Sequence, residues 1–129
     1  MKLTSITAGD LVEVKQESGA LRQVGLKSGR QVTTYWLHDA LFEHDAIEAT
    51  GFDVIAHYKK LSSKSNLGPG SLVKVNRRGR MFYAVLKQRE RDVWLCHPLS
   101  GNYFRIQRRE IVTVYSTRRA AGWLEQLAA

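Results

Sequence analysis

The residues in this chain best suited to chemistry are arginines set in short clusters along its second half. Arg77, Arg78 and Arg80 surround Gly79, and Arg89 and Arg91 bracket Glu90. Arg105 follows Tyr103 by two positions, Arg108 and Arg109 are adjacent, and Arg118 and Arg119 come last. A guanidinium presents a planar fork of donors that fits phosphate oxygens and base edges, and it stacks on rings. Phosphate contacts would supply affinity, while Tyr103 or Tyr83 offers a ring on which an unpaired base could stack. This set, with Tyr103 as its aromatic member, is the candidate nucleic-acid-binding surface. Arg118 and Arg119 stand where a C-terminal helix would begin. Cations there oppose the helix dipole, and a bound phosphate would relieve that penalty while using the free N–H groups.

Other chemistry is weaker on spacing. His38-Asp39 and Glu43-His44-Asp45, with Glu48 close by, combine imidazoles and carboxylates. Such a group can hold a divalent metal or move protons, and on a helix His44 and Glu48 would share one face. The spacing matches no paired-histidine metal helix, so a solvated acidic loop is the expectation, with metal-dependent activity around His38–Glu48 the lesser alternative. Cys96 lies in the apolar run Val93-Trp94-Leu95-Cys96-His97 and reads as a small buried hydrophobe rather than a nucleophile. Gly68-Pro69-Gly70 lacks the Lys-Ser/Thr of a phosphate loop. No catalytic residue, metal or cofactor is expected, and the chain is not read as an enzyme.

Composition agrees with a binding module. The chain has 129 residues with 20 Lys+Arg, 12 Asp+Glu and a net charge of +8. Residues 1–66 are neutral, and the whole excess lies in residues 67–129, which hold ten arginines and two lysines against one Asp and three Glu. Charge asymmetry of this kind points to an anionic polymer or surface. One cysteine excludes an internal disulfide and a multi-cysteine zinc site. No apolar run approaches the ~18 residues of a membrane span, and the first residues lack a secretion signal. The expectation is a soluble cytoplasmic protein with no membrane partner.

The elements that must position these arginines read as β-strands. Leu61 to Ser71, rich in Ser, Asn, Gly and Pro, is a linker between residues 1–60 and residues 72–115. On either side the sequence repeats: Gly9-Asp10-Leu11-Val12-Glu13-Val14-Lys15 matches Gly70-Ser71-Leu72-Val73-Lys74-Val75-Asn76, and Asp45-Ala46-Ile47 aligns more loosely with Arg109-Glu110-Ile111. In the second unit, Leu72–Val75, Met81–Lys87, Val93–His97, Tyr103–Gln107 and Val112–Tyr115 alternate or are rich in β-formers. Turns fall at Arg77–Arg80, Arg89–Asp92 and Pro98–Asn102, and Arg108–Ile111 makes one tight helical turn. In the first unit, Leu11–Lys15, Leu21–Leu26, Gln31–Leu37 and Phe52–Tyr58 read as strands, with turns at Glu17–Gly19 and Ser28–Arg30. His38–Glu48 is a short helix or a loop. Over residues 116–129, Thr117 is a plausible N-cap, and Ala120, Trp123, Leu124 and Leu127 mark an amphipathic helix.

Five short strands with a tight turn before the fifth resemble the small barrels of the Src-homology-3-like and Tudor-like kind. The expected architecture is therefore mainly β, two such barrel units in tandem with a short C-terminal α-helix. The expected function is backbone-led nucleic-acid binding by the Arg-rich unit, with DNA slightly favoured over RNA. The alternative is a protein–protein interaction module whose basic face takes an acidic partner segment. The neutral first unit or the C-terminal helix would serve for a protein partner or a second copy of the chain.

Overall fold

The computed structural model describes residues 3–37, 46–61, 67–99, 101–116 and 123. The chain divides into two compact units, Met1–Lys59 and Lys60–Ala129. The first begins with a 3-10 turn at Leu3–Ser5, followed by β1 (Leu11–Val14), β2 (Glu17–Ser28), β3 (Gln31–Trp36), β4 (Ile47–Thr50) and β5 (Val54–Tyr58). They form one antiparallel sheet in the order β4-β3-β2-β1-β5. The second contains β6 (Lys60–Leu61), β7 (Leu72–Arg77), β8 (Arg80–Glu90), β9 (Val93–Pro98), β10 (Phe104–Gln107), a 3-10 turn at Arg108–Glu110 and β11 (Ile111–Tyr115). Its sheet runs β10-β9-β8-β7-β11-β6, again antiparallel. The protein is mainly β.

Each unit is a meander of four strands whose fifth returns to pair with the first: β5 beside β1, and β11 beside β7. The entry turns are built alike. Gly9 (φ 88°) and Gly70 (φ 91°) take the left-handed backbone that glycine adopts without strain. Gly9 N–H donates to the Val24 carbonyl at 2.8 Å, and Gly70 N–H to that of Leu86 at 2.7 Å. The Asp10 carboxylate accepts the Thr7 N–H at 3.0 Å, and the Ser71 hydroxyl accepts the Gly68 N–H at 3.1 Å. The match between Gly9–Lys15 and Gly70–Asn76 is thus a match of structure. The second alignment is not. Ile47 lies on β4, whereas Ile111 opens β11; the residue that occupies the place of Ile111 is Val54, since Val14 pairs with Val54 and Val75 with Ile111.

The cores follow from alternation. Val12, Val14, Val24, Val32, Ala49 and Val54 gather with Ile6 in the first unit. Val73, Val75, Ala84, Leu86, Trp94, Cys96, Ile106, Ile111 and Val114 do so in the second, with Phe82 and Phe104 against them. At roughly 25 cal/mol per Å² of apolar surface, burial of such clusters is the main stabilising term in each.

Several expectations need correction. Neither sheet closes into a barrel among the described residues, since the outer strands pair on one side only. β4 pairs only with β3 and β10 only with β9, so each sheet keeps an open edge there. Glu48, expected on a helix or in a loop, stands on β4 opposite Thr33, because Ile47 and Ala49 face the core and draw the segment into the sheet. The first hairpin turns at Lys15-Gln16 rather than at Glu17–Gly19, with Glu17 already in β2. β8 runs on through Arg89 and Glu90, leaving Arg91-Asp92 alone as the turn. Lys60 and Leu61 pair with Tyr115 and Val114 of the second sheet. The linker residues 62–66, the cluster His38–Asp45 and the C-terminal helix from Thr117 on, Trp123 apart, lie outside the described residues; no C-terminal helix is present among them.

Candidate nucleic-acid interface

Two hairpin tips carry most of the arginines of the second unit. Arg77 and Arg80 pair directly across β7 and β8, leaving Arg78-Gly79 as a two-residue turn. Arg78 sits at φ 53° and Gly79 at φ 85°, and the Asn76 side-chain oxygen accepts the Gly79 N–H at 2.9 Å. The next turn, between β8 and β9, places Arg91 at φ 59°. These are the only described non-glycine residues with positive φ. Glycine, with no β-carbon to crowd the following carbonyl, or asparagine, whose short amide bonds locally, would occupy such positions with less strain. Arg78, Arg80 and Arg91 are all exposed.

The third group comes together around β10 through ion pairs. Like charges placed opposite one another repel, and Arg77 turns away from Arg80. Its Nε lies 3.2 Å from Glu110 Oε2, and its terminal N–H donates to the Arg105 carbonyl at 3.2 Å. The guanidinium lies 5.5 Å from the centre of the Phe104 ring. Arg105 Nε donates to Glu90 Oε2 at 2.7 Å. That bond and the carboxylate charge hold the Arg105 pKa above the ordinary arginine value. Glu110 also accepts the Gln107 N–H at 2.7 Å, which fixes the turn bearing Arg108 and Arg109. Both hairpin tips and the 3-10 turn are therefore tied to the same short strand. Arg89 Nε donates to the Arg91 carbonyl at 3.0 Å. Of the proposed set, Arg77, Arg89 and Arg105 are already engaged within the protein. Arg78, Arg80, Arg91 and Arg109 are exposed and make no ion pair among the described residues. Arg108 is exposed as well, and Arg118 and Arg119 lie outside the described residues.

Tyr103 and Tyr83 separate cleanly. Tyr83 is 4% exposed, and burial pushes its phenol pKa up; it is a core residue beside Tyr115, their ring centres 6.1 Å apart. Tyr103 is 45% exposed. It precedes β10 on the same face as Arg105, with its ring edge-on to His97 at 4.6 Å between centres. Lys87 Nζ stands 4.3 Å from the Tyr103 ring centre, within cation–π range. Lys87 is the extra residue of a β-bulge, since Leu86 pairs with Cys96 and Gln88 with Leu95, its neighbour. A bulge re-aims the side chain it carries. Neither Lys87 nor His97 was singled out as a ligand-binding residue in the sequence, because the bulge leaves no trace in the alternation. His97 was legible once Phe104 is set opposite Cys96, which brings Tyr103 alongside it.

Most of the His38–Glu48 cluster lies outside the described residues; of it only Glu48 is placed, on β4. Cys96 is buried in the core with its thiol pushed up to about 12 by desolvation, so it stays protonated and inert. Among the described residues no cluster of His, Cys, Asp and Glu has the geometry to hold a metal ion. None of the described helices is long and apolar enough to cross a membrane. In comparisons with known proteins, the chain matches no family model, no curated protein and no solved structure.

Proposed function

We propose that this chain is a nucleic-acid-binding protein whose second unit engages the sugar-phosphate backbone through its arginines. The observation that carries this reading is the pair of exposed arginines, Arg78 and Arg91, held at left-handed φ on two separate hairpin tips. Strained backbone persists where something other than stability maintains it, and an outward guanidinium on a rigid tip is a phosphate contact in waiting. Arg80 and Arg109 extend the set, with Arg108 beside them. Arg77, Arg89 and Arg105 frame it. Each unit is read as an open relative of the Src-homology-3-like barrels. This reading rests on the returning fifth strand in both units and on the 3-10 turn before it in the second. Binding is non-enzymatic, led by the backbone and slightly in favour of DNA, and the protein is assigned to the cytoplasm.

A second reading is favoured by one feature of the first unit. Phe52 is 86% exposed in a turn locked by Asp53, whose carboxylate accepts the Thr50 N–H at 2.9 Å and the Thr50 hydroxyl at 3.0 Å. Those bonds hold the Asp53 pKa below the usual carboxylate range, the backbone N–H contributing most. A rigid turn presenting a bare aromatic ring suits a protein partner.

The test is fluorescence anisotropy with labelled DNA and RNA, single-stranded and duplex, at two salt concentrations, with an acidic protein as control. Binding that weakens steeply with salt is expected. Replacing Arg78, Arg80, Arg91 and Arg109 together by alanine should reduce the salt slope by about 3 to 4. No binding at low salt, or an unchanged slope in the variant, overturns the proposal; binding of the acidic protein alone would favour the partner-protein reading.

A further inference from the structure

We infer that the preferred ligand is a single strand, with one unpaired base stacked on Tyr103. This rests on the nucleic-acid reading and names its substrate form. The outward face of β8, β9 and β10 holds Tyr103, His97, Leu95, Arg105 and Lys87. Leu95 pairs with Arg105 across the two strands, and Phe104 opposite Cys96 sets Tyr103 beside His97. The Tyr103 ring is large, exposed and braced by His97, yet it packs into no core cluster of its unit. Burying an aromatic ring is among the larger gains available to a side chain, and this one is left at the surface.

The charges around it decide what can cover it. Lys87 lies over the ring at 4.3 Å, and Arg105 follows two residues on with its guanidinium exposed beyond Glu90. An apolar protein segment placed on Tyr103 would have to desolvate both cations without compensation. A nucleotide satisfies both demands: its base supplies a flat apolar face for the ring, and its phosphate takes the ammonium that the base displaces. Lys87 has a flexible four-carbon stem, so it can swing from ring to phosphate without moving the strand. A duplex offers the phosphate but not the base face, because its bases are stacked on one another. Its major groove, moreover, admits a helix or a two-stranded ribbon rather than the flank of a six-stranded sheet.

The test compares Tyr103→Ala and Tyr103→Phe with the unaltered chain, using labelled strands of about 16 nucleotides, near the upper end of single-domain sites. Single-stranded DNA, single-stranded RNA and a duplex of the same sequence are titrated at fixed salt. The unaltered protein should bind one or both single strands more tightly than the duplex. Tyr103→Ala should weaken single-strand binding by about tenfold or more, as loss of one stacked base does. Tyr103→Phe should restore it to within about twofold, because the ring face is retained. Duplex binding should be unmoved by either change. Equal or tighter duplex binding, or a Tyr103→Ala protein that binds single strands normally, overturns the inference and leaves backbone binding standing. Failure of every probe overturns the nucleic-acid reading itself. Circular dichroism of each variant separates lost binding from lost folding.

Discussion

The two units share a strand order and an entry turn, yet they dispose of charge in opposite ways. In the first, Asp10, Glu13, Arg22 and Thr34 are buried; among its described residues the second buries no charged side chain, and Tyr83 and Tyr115 bring its buried hydroxyls. One register position shows the divergence. Val12 pairs with Arg22 in the first unit, and its counterpart Val73 pairs with Ala84 in the second. The next position on the same face repeats the contrast. Val24 pairs with Thr34, whereas Leu86 pairs with Cys96. Arg22 is 0% exposed, donating to the Thr34 hydroxyl at 2.9 Å, the Thr34 carbonyl at 3.0 Å and Glu17 at 2.9 Å. Thr34 in turn donates its hydroxyl proton to the Ile47 carbonyl at 2.8 Å. This network ties β2, β3 and β4 together. Asp10 adds a second tie, accepting from His57 Nε2 at 2.8 Å and so linking the entry turn to β5. The lesson is that one small β-frame can spend its arginines on holding strands together or on its loop tips.

The sharpest way to break the comparison is to remove the buried guanidinium. Arg22→Ala leaves the Thr34 carbonyl and Glu17 without their donors and opens a void. It should cost about 3 to 5 kcal/mol in urea unfolding, the range for truncating a large buried side chain and leaving its hydrogen-bond partners unmet. Arg80→Ala, at an exposed tip, should change stability by less than about 0.5 kcal/mol. Comparable costs at the two positions would show that location in the fold does not divide these arginines by role.

The contrast was only partly legible in the sequence. The strands of the second unit follow from the alternation of Val73 and Val75 and of Phe104 and Ile106. The Arg78-Gly79 tip follows from a glycine between two β runs. Arg22 was silent, because an arginine within an alternating run reads as outward-facing. Its burial depends on Glu17 and on Thr34 from another strand. The pairs Arg77–Glu110 and Arg105–Glu90 join residues far apart in the chain, so no local pattern announces them. β4 was hidden by its shortness and by the charged segment before it. The unequal spacing of the repeat explains the misplaced second alignment: loops and bulges of different length move β5 and β11 out of step with the entry turns.

A smaller effect tests whether strain is exchanged for binding at the tips. Arg78→Asn replaces a residue strained at φ 53° by one that tolerates left-handed backbone, and it should raise stability by about 1 kcal/mol. The same change removes one cation, so the salt slope for nucleic acid should fall by about 0.7 to 0.9. Stability and binding would then move in opposite directions at one residue. A rise in stability with unaltered binding would mean that Arg78 is a strained tip with no ligand to justify it.

The smallest expected effect concerns the carboxylates that hold the interface arginines. Glu90 occupies the Arg105 guanidinium at 2.7 Å, in competition with any phosphate that approaches. Glu90→Gln keeps the side-chain length and one hydrogen-bond acceptor while removing the charge. If Glu90 acts chiefly as a competing anion, affinity for nucleic acid should rise about threefold, the scale of one exposed ion pair. If instead it aims Arg105 at the ligand, affinity should fall, because the guanidinium loses its fixed direction. The sign of this change decides which role the carboxylate plays. It also sharpens the comparison between the units: in the first, the carboxylate of Glu17 completes a buried network; in the second, that of Glu90 would be a gate on a cation meant for another partner.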